Sequence, residues 1–156
     1  MEVEIVLTPP SVIEVELIPA PTVVVEFSVA QGPAGPPAGL TLLNAAEAVG
    51  GHRVVCAAIG GVRHVDVSVA DDAQRVIGLS MTAASAGGTV TVADSGPVDE
   101  PSWSWTPDEP VFVMGLGLLT QSTPTSPAQA FLLRIGVALS PTSIFVSIGE
   151  PIAFQE

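Results

Sequence analysis

The stretch LLRIGVALSPTSIFVSI, residues 132–148, predicts two short β-strands separated by a turn. Apolar and β-branched residues dominate 132–139 and 144–148, and the residues between them are the Ser, Pro and Thr that turns favour. Similar runs precede this stretch, with Gly, Asp, Asn, Ser or Pro between them, at residues 53–58, 62–69, 75–82, 89–93 and 111–114. Short strands at such regular spacing are typical of an all-β domain. We therefore predict a small β-barrel or sandwich-like domain over residues 40–156, with helix limited to single turns at 44–49 and 127–131.

Glycine interrupts two of the predicted strands. Gly78 lies within the run VIGLS, residues 76–80, and Gly136 lies within IGVALS, residues 135–140. A glycine inside an apolar strand marks a bulge or a close approach of two backbones. We expect such a feature at each position.

The chain is unusually apolar. Hydrophobic residues make up 47% of the sequence and charged residues 13%, whereas about 25% charged is ordinary for a soluble domain. Pro, Gly or Glu nevertheless interrupts every apolar run before it reaches the ~18 residues that a membrane-spanning helix needs. We therefore predict no membrane span and expect the excess apolar surface in contacts between subunits.

Negative charge dominates the sequence, with 16 acidic residues against four arginines, no lysine and a formal net charge of −12. This balance argues against nucleic-acid binding, which depends on neutralising phosphates. The single cysteine, Cys56, cannot form an intrachain disulfide, and we expect it to be a small buried hydrophobe. The first residues lack the basic start and apolar core of a secretory signal, so we expect assembly in the cytoplasm.

Residues 1–30 predict an extended N-terminal β arm. The triplets Val3-Glu4-Ile5, Val15-Glu16-Leu17 and Val25-Glu26-Phe27 alternate apolar and acidic residues with the period of a strand. Prolines separate the triplets, and the breaks lack the Asn-Gly or Asp-Gly pairs of two-residue turns, so we expect no tight hairpin. An arm of this kind pairs with other subunits or adds a strand to a partner's sheet. The residues expected at that interface are Val3, Ile5, Leu7, Val15, Leu17, Val25 and Phe27.

Residues 31–39 predict a linker between the arm and the β-rich head domain, residues 40–156. The sequence Gly32-Pro33-Ala34-Gly35-Pro36-Pro37 is a short collagen-like fragment. One interpretation is a stiff polyproline-II spacer, and the other is a three-chain collar around a threefold axis. The candidate positions for both are Gly32, Gly35, Pro36 and Pro37.

No catalytic, metal or cofactor site is predicted. His52, Cys56 and His64 are the candidate soft ligands, but they lie in one run without the second close pair that a zinc site usually has. No serine lies in a Gly-x-Ser-x-Gly elbow. Three pairs of adjacent acids are expected to lie in solvated turns, namely Asp71-Asp72, Asp99-Glu100 and Asp108-Glu109. Asp66 is expected to be a surface neighbour of Arg63 or His64.

Trp103-Ser104-Trp105 places two indoles on the same side of an extended segment. Such a pair packs over one end of a barrel or fills a subunit interface, where the large buried area of tryptophan counts most. The alternative is a platform for a sugar ligand. The absence of tyrosine and of other clustered aromatic residues favours packing.

Residues 50–152 resemble a domain of tailed-bacteriophage structural proteins, namely capsid decoration or head-fibre proteins and fibre-like proteins with short collagen-type segments. The phrases that carry the resemblance are GHRVV (51–55), RVIGL (75–79), AASAG (83–87), VTV (90–92), EPSWSWTP (100–107), PVFV (110–113), LTQ (119–121) and IGVA (135–138). The resemblance covers about two thirds of the chain, and the order of the phrases is more specific than any one of them.

The resemblance implies a β-rich structural protein on the virion surface, without enzymatic activity or cofactor, that forms homotrimers and binds the major capsid protein or another virion protein. The collagen-like piece is shorter than in fibre proteins, so we expect an anchoring arm and a compact head in place of a long shaft. An alternative within the same group is a tail-fibre or spike module in which Trp103 and Trp105 contact host glycans.

Overall fold

The computed structural model describes residues 2–8, 12–18, 39–125 and 127–154, and the chain divides into two units, Met1–Gly35 and Pro36–Glu156. In the first unit, strand β1 (Glu2–Thr8) pairs antiparallel with β2 (Val12–Ile18). The register sets Val3 opposite Leu17 and Ile5 opposite Val15. The connection between these two strands lies outside the described residues, so the expectation of no tight hairpin stays a prediction.

Part of the predicted arm and linker lies outside the described residues. This part contains the candidate positions Val25, Phe27, Gly32, Gly35, Pro36 and Pro37. The roles proposed for them stay predictions.

The second unit contains twelve strands and two short 3₁₀ helices among its described residues. The helices are Ala70–Arg75 and Gly115–Gly117. The strands are β3 (Leu40–Asn44), β4 (Val54–Ala58), β5 (Gly61–His64), β6 (Val76–Ser80), β7 (Thr89–Ala93), β8 (Ser95–Asp99), β9 (Pro110–Met114), β10 (Leu118–Thr120), β11 (Phe131–Leu132), β12 (Arg134–Ser140), β13 (Ser143–Ser147) and β14 (Ile152–Ala153). These strands pair antiparallel, which confirms the predicted all-β class.

The first of two five-stranded sheets has the order β3-β7-β6-β4-β5 and closes on itself. Just beyond β3, Ala45 bridges to Val62 of the opposite edge strand, and the Ala46 N–H donates to the Val62 carbonyl oxygen at 2.8 Å. This bridge joins the two ends of the sheet. A small core lies on one side of this closed sheet. It is built from Ala45, Val49, Val55, Val62, Val90 and Val92.

The second five-stranded sheet, in the order β10-β9-β12-β13-β8, shares the main core with the first. Val54 and Leu79 come from the first sheet, Ile135 and Ile144 come from the second, and all four are fully buried. Alternation of side chains along each strand aims one set inward, so a second set points away from this core.

Both predicted glycine features are present. A side chain at Gly78 would collide with the Ala93 carbonyl oxygen, and one at Gly136 would collide with the Phe145 carbonyl oxygen. The strand register also shifts beside each glycine, between β4 and β6 and between β12 and β9. Each glycine therefore marks a bulge and a close backbone approach together.

Each of the seven predicted strands overlaps an observed strand, although β5 ends at His64, well before the predicted end at residue 69. The helical turns predicted at 44–49 and 127–131 were wrong. Residues 45 and 49 instead form bridges to Val62 and Ala84, because tertiary pairing outweighs weak local helix propensity.

None of the helices in the described residues has the length and apolar character to cross a membrane.

Candidate functional site

The outer face of the second sheet, the side turned away from the main core, carries a row of apolar residues across four strands. The strand register sets Phe145 opposite both Pro97 and Val137, and sets Val137 opposite Pro110. Phe145 is 45% exposed, whereas its neighbours Ile144 and Val146 are fully buried. The row is thus a continuous apolar strip on a solvent-facing sheet, and we call it the apolar row.

One end of the apolar row is bordered by acids. Leu139 lies beside it and is 53% exposed. The Asp108 N–H donates to the Ala138 carbonyl oxygen at 2.8 Å, and the Ala138 N–H donates to the Glu109 carbonyl oxygen at 3.0 Å, which places both acids next to Leu139. An exposed apolar patch with a polar border has the anatomy of a protein interaction surface.

Trp103 and Trp105 pack together, with ring centroids 5.5 Å apart and planes tilted by 56°. Both are half-buried against the main core. His52 contacts the Trp103 ring edge-on at 5.4 Å, and its Nδ1 lies 3.2 Å from Glu100 Oε2. This contact with the core favours the packing interpretation over a sugar platform.

The segment that carries the tryptophans is tied to β10 by Gln121. The Thr106 N–H donates to Gln121 Oε1 at 2.9 Å, and Gln121 Nε2 donates to the Thr106 carbonyl oxygen at 2.8 Å. The side-chain amide thus makes the two hydrogen bonds that a neighbouring strand would make. Sequence reasoning missed this residue, because no local pattern shows where a surface glutamine finds a partner.

Asp72 was predicted to lie in a solvated turn, and this was wrong: it is fully buried. Arg63 Nη2 lies 2.6 Å from Asp72 Oδ1, and the Asp66 N–H donates to Asp72 Oδ2 at 2.9 Å. Burial raises the pKa of Asp72, but the hydrogen bonds from Arg63 and the Asp66 amide outweigh it and hold that pKa below its usual value. Arg63 therefore pairs with Asp72 and not with Asp66, because the helix Ala70–Arg75 brings Asp72 inward.

Cys56 lies against this ion pair, with Sγ 3.7 Å from Asp72 Oδ2. Burial and the neighbouring carboxylate raise the pKa of the thiol to about 11. The thiol stays protonated and unreactive at neutral pH. Cys56 is thus a buried small residue, as predicted.

The three candidate soft ligands have separate partners. His52 lies beside Glu100, and Cys56 lies beside Asp72. His64 Nε2 accepts a hydrogen bond from the Gly50 N–H at 3.0 Å. Burial lowers the pKa of His64, with Arg53 adding to the effect. Across the part of the chain that the structure describes, no three His, Cys, Asp or Glu residues come together as a metal site would require.

Comparison with protein-family models finds no match for this chain, and comparison with curated proteins finds no significant match.

Proposed function

We propose that this protein is a structural component of a bacteriophage particle, a capsid decoration or head-fibre protein that binds the shell as a homotrimer. The observation that carries the proposal is the apolar row formed by Pro97, Phe145, Val137 and Pro110. The domain already has a complete core on the other side of the same sheet. An additional exposed apolar strip is therefore best explained by a binding partner.

Charge indicates the chemistry of that partner. The exposed acids Asp99, Asp108 and Glu109 border the row, and the whole chain carries a net charge of −12. A shell surface with an apolar centre and a rim of Lys or Arg side chains complements this arrangement. Phe145 and Leu139 are about half exposed, so burying the rest of each side chain on such a surface stabilises the complex by about 0.7–1.5 kcal/mol.

Trimer formation strengthens binding to the shell even where the contact made by each copy is weak. In a trimer, binding of one copy raises the effective concentration of the other two at neighbouring sites on the shell. The N-terminal arm adds a second point of attachment through strand addition, and its alternating sequence supports that role. The half-buried position of Trp103 and Trp105 supports a structural role over a glycan-binding one.

The proposal is tested with particles of the phage that encodes the chain, prepared without this protein. The wild-type chain and the variant Phe145→Ser are added to these particles, and the bound fraction is measured by sedimentation and electron microscopy. Wild type is expected to decorate the shell at symmetry-related positions, and Phe145→Ser to bind at least tenfold more weakly. The control is Ile59→Ser, which alters a fully exposed residue in the turn between β4 and β5.

Circular dichroism confirms that both variants are folded before binding is compared. Equal binding by wild type and Phe145→Ser, or no binding by wild type, would count against the proposal.

A further inference from the structure

The turn between β9 and β10 holds a leucine in a conformation that leucine disfavours. Leu116 has φ 57° and ψ 35°, in the left-handed region, and its side chain is 64% exposed. Glycine or asparagine adopts this conformation at lower cost and would expose less apolar surface. Folding therefore gains little from a leucine here, and a strained, exposed apolar residue of this kind points to a role in binding.

The turn is held rigidly around Leu116. Gly117 also has a positive φ, and a side chain there would collide with the Val54 carbonyl oxygen, so the turn lies directly against β4. Arg53 Nη1 donates to the Leu116 carbonyl oxygen at 3.2 Å. These contacts fix the direction in which Leu116 projects, and an anchor fixed in advance loses little conformational entropy on binding.

Apolar side chains surround Leu116, and the charged group that contacts this turn is the basic Arg53. Met114 and Leu118 face each other across β9 and β10 and are 39% and 41% exposed. The sequence has no charged residue from position 110 to position 133. In a chain with a net charge of −12, two copies can approach through this segment without bringing acids together.

The same unit contains a cleft of about 290 Å³ that suits an apolar side chain. The cleft is lined by Phe112, Leu132, Arg134, Gly149, Glu150 and Ile152. One arginine and one glutamate balance its charge, and Ile152 is 62% exposed at its edge. A pocket that is mostly apolar and carries no net charge suits a neutral apolar side chain from a second copy, whereas an acidic surface would not.

We propose that Leu116 of one copy inserts into the Phe112–Leu132–Ile152 cleft of a neighbouring copy. The two contacting surfaces differ, so the contact is head-to-tail, and a head-to-tail contact that closes produces a ring. This inference rests on the homotrimer of the proposed function, for which it supplies the contact between copies. None of the four residues of the apolar row is among those that line the cleft.

The first experiment measures self-association of the purified full-length chain by native mass spectrometry and sedimentation equilibrium. Wild type is expected to form trimers, and Leu116→Asn to associate at least tenfold more weakly. At dilutions where both are monomeric, Leu116→Asn is expected to unfold at a higher temperature, because asparagine relieves the strained backbone. Ile59→Asn is the control for loss of an exposed apolar residue and should associate as wild type does.

The second experiment uses cross-linking between copies. Chains with Leu116→Cys are mixed with chains with Ile152→Cys and oxidised with diamide, which accepts the two electrons and two protons that the thiols give up. A disulfide-linked pair of the two different chains is expected, in excess of the pair formed when Ile59→Cys replaces Ile152→Cys. Buried Cys56 is common to every mixture.

A monomeric wild type, unchanged association of Leu116→Asn, or cross-linking no greater than in the Ile59→Cys mixture would overturn the inference. No particle is present in either experiment. A chain that trimerises through Leu116 but does not bind shells would contradict only the proposed function, and a chain that binds shells without this contact would contradict only the inference.

Discussion

Arg63 and Asp72 form a hydrogen-bonded ion pair, Nη2 to Oδ1 at 2.6 Å, in which the arginine is 29% exposed and the carboxylate is 1% exposed. The pair joins β5 to the helix Ala70–Arg75, and the same carboxylate accepts the Asp66 N–H. It therefore fixes the segment between the two elements against the main core. This segment contains Val65 and Val67, which are buried in that core without belonging to a strand.

Replacing Asp72 by asparagine removes the charge that pairs with Arg63. We expect Asp72→Asn to lower the free energy of unfolding at pH 7 by about 2 to 3 kcal/mol, less than for a fully buried pair because Arg63 keeps part of its hydration. The matched control is Asp71→Asn, which changes the exposed neighbouring acid and is expected to shift stability by less than about 0.5 kcal/mol. Urea denaturation measures both, and equal effects of the two substitutions would contradict this account of the pair.

The same carboxylate makes stability depend on pH. The pKa of Asp72 is lower in the folded chain than in the unfolded chain, so its contribution is complete above the unfolded value, near pH 4, and is lost as pH falls through the folded value. We expect the wild-type unfolding temperature to fall on acidification below about pH 4, and Asp72→Asn to show a shallower fall. Thermal scans from pH 2 to 7 provide the test, and parallel curves for the two proteins would remove Asp72 as the cause.

A substitution at Gly136 tests the close approach of β12 and β13. A methyl group there would meet the Phe145 carbonyl oxygen, so we expect Gly136→Ala to destabilise the domain by about 1–3 kcal/mol, as overpacking does. Gly115→Ala is the control, because a side chain at Gly115 would meet no atom within 4 Å. Chemical denaturation of the two variants should separate them clearly, and a Gly136→Ala variant as stable as wild type would mean that the strands can move apart.

The strands that could be predicted from the sequence are those with their own signal. The runs around Gly78 and Gly136 are apolar and β-branched, and their glycines indicated the bulges. β8 has the sequence SGPVD, with glycine and proline and one buried apolar residue, so its strand conformation comes from pairing with β13. Local propensity has no means of showing a pairing of this kind.

In the candidate site, too, some features could be predicted from the sequence and others could not. Alternation in β13 predicts that Phe145 points away from Ile144 and Val146, but all three are apolar, so the sequence does not show which side is covered. Asp72 was misassigned because two adjacent acids are typical of a solvated turn, and only the position of Arg63 in the fold explains why Asp72 is buried while Asp71 is exposed. Leu116 carries no sequence signal of its strain beyond the two glycines beside it.

The bridge from Ala45 to Val62 bears on whether the domain can form fibrils. Because it joins the two ends of the first sheet, the unpaired strand edges in the described part of the domain lie on β8 and β10 of the second sheet and on the two-residue strands β11 and β14. β8 carries Pro97, which lacks the N–H that an added strand would need, and β10 is only three residues long. The domain is thereby protected against edge-to-edge aggregation, although nearly half of the residues of the chain are hydrophobic.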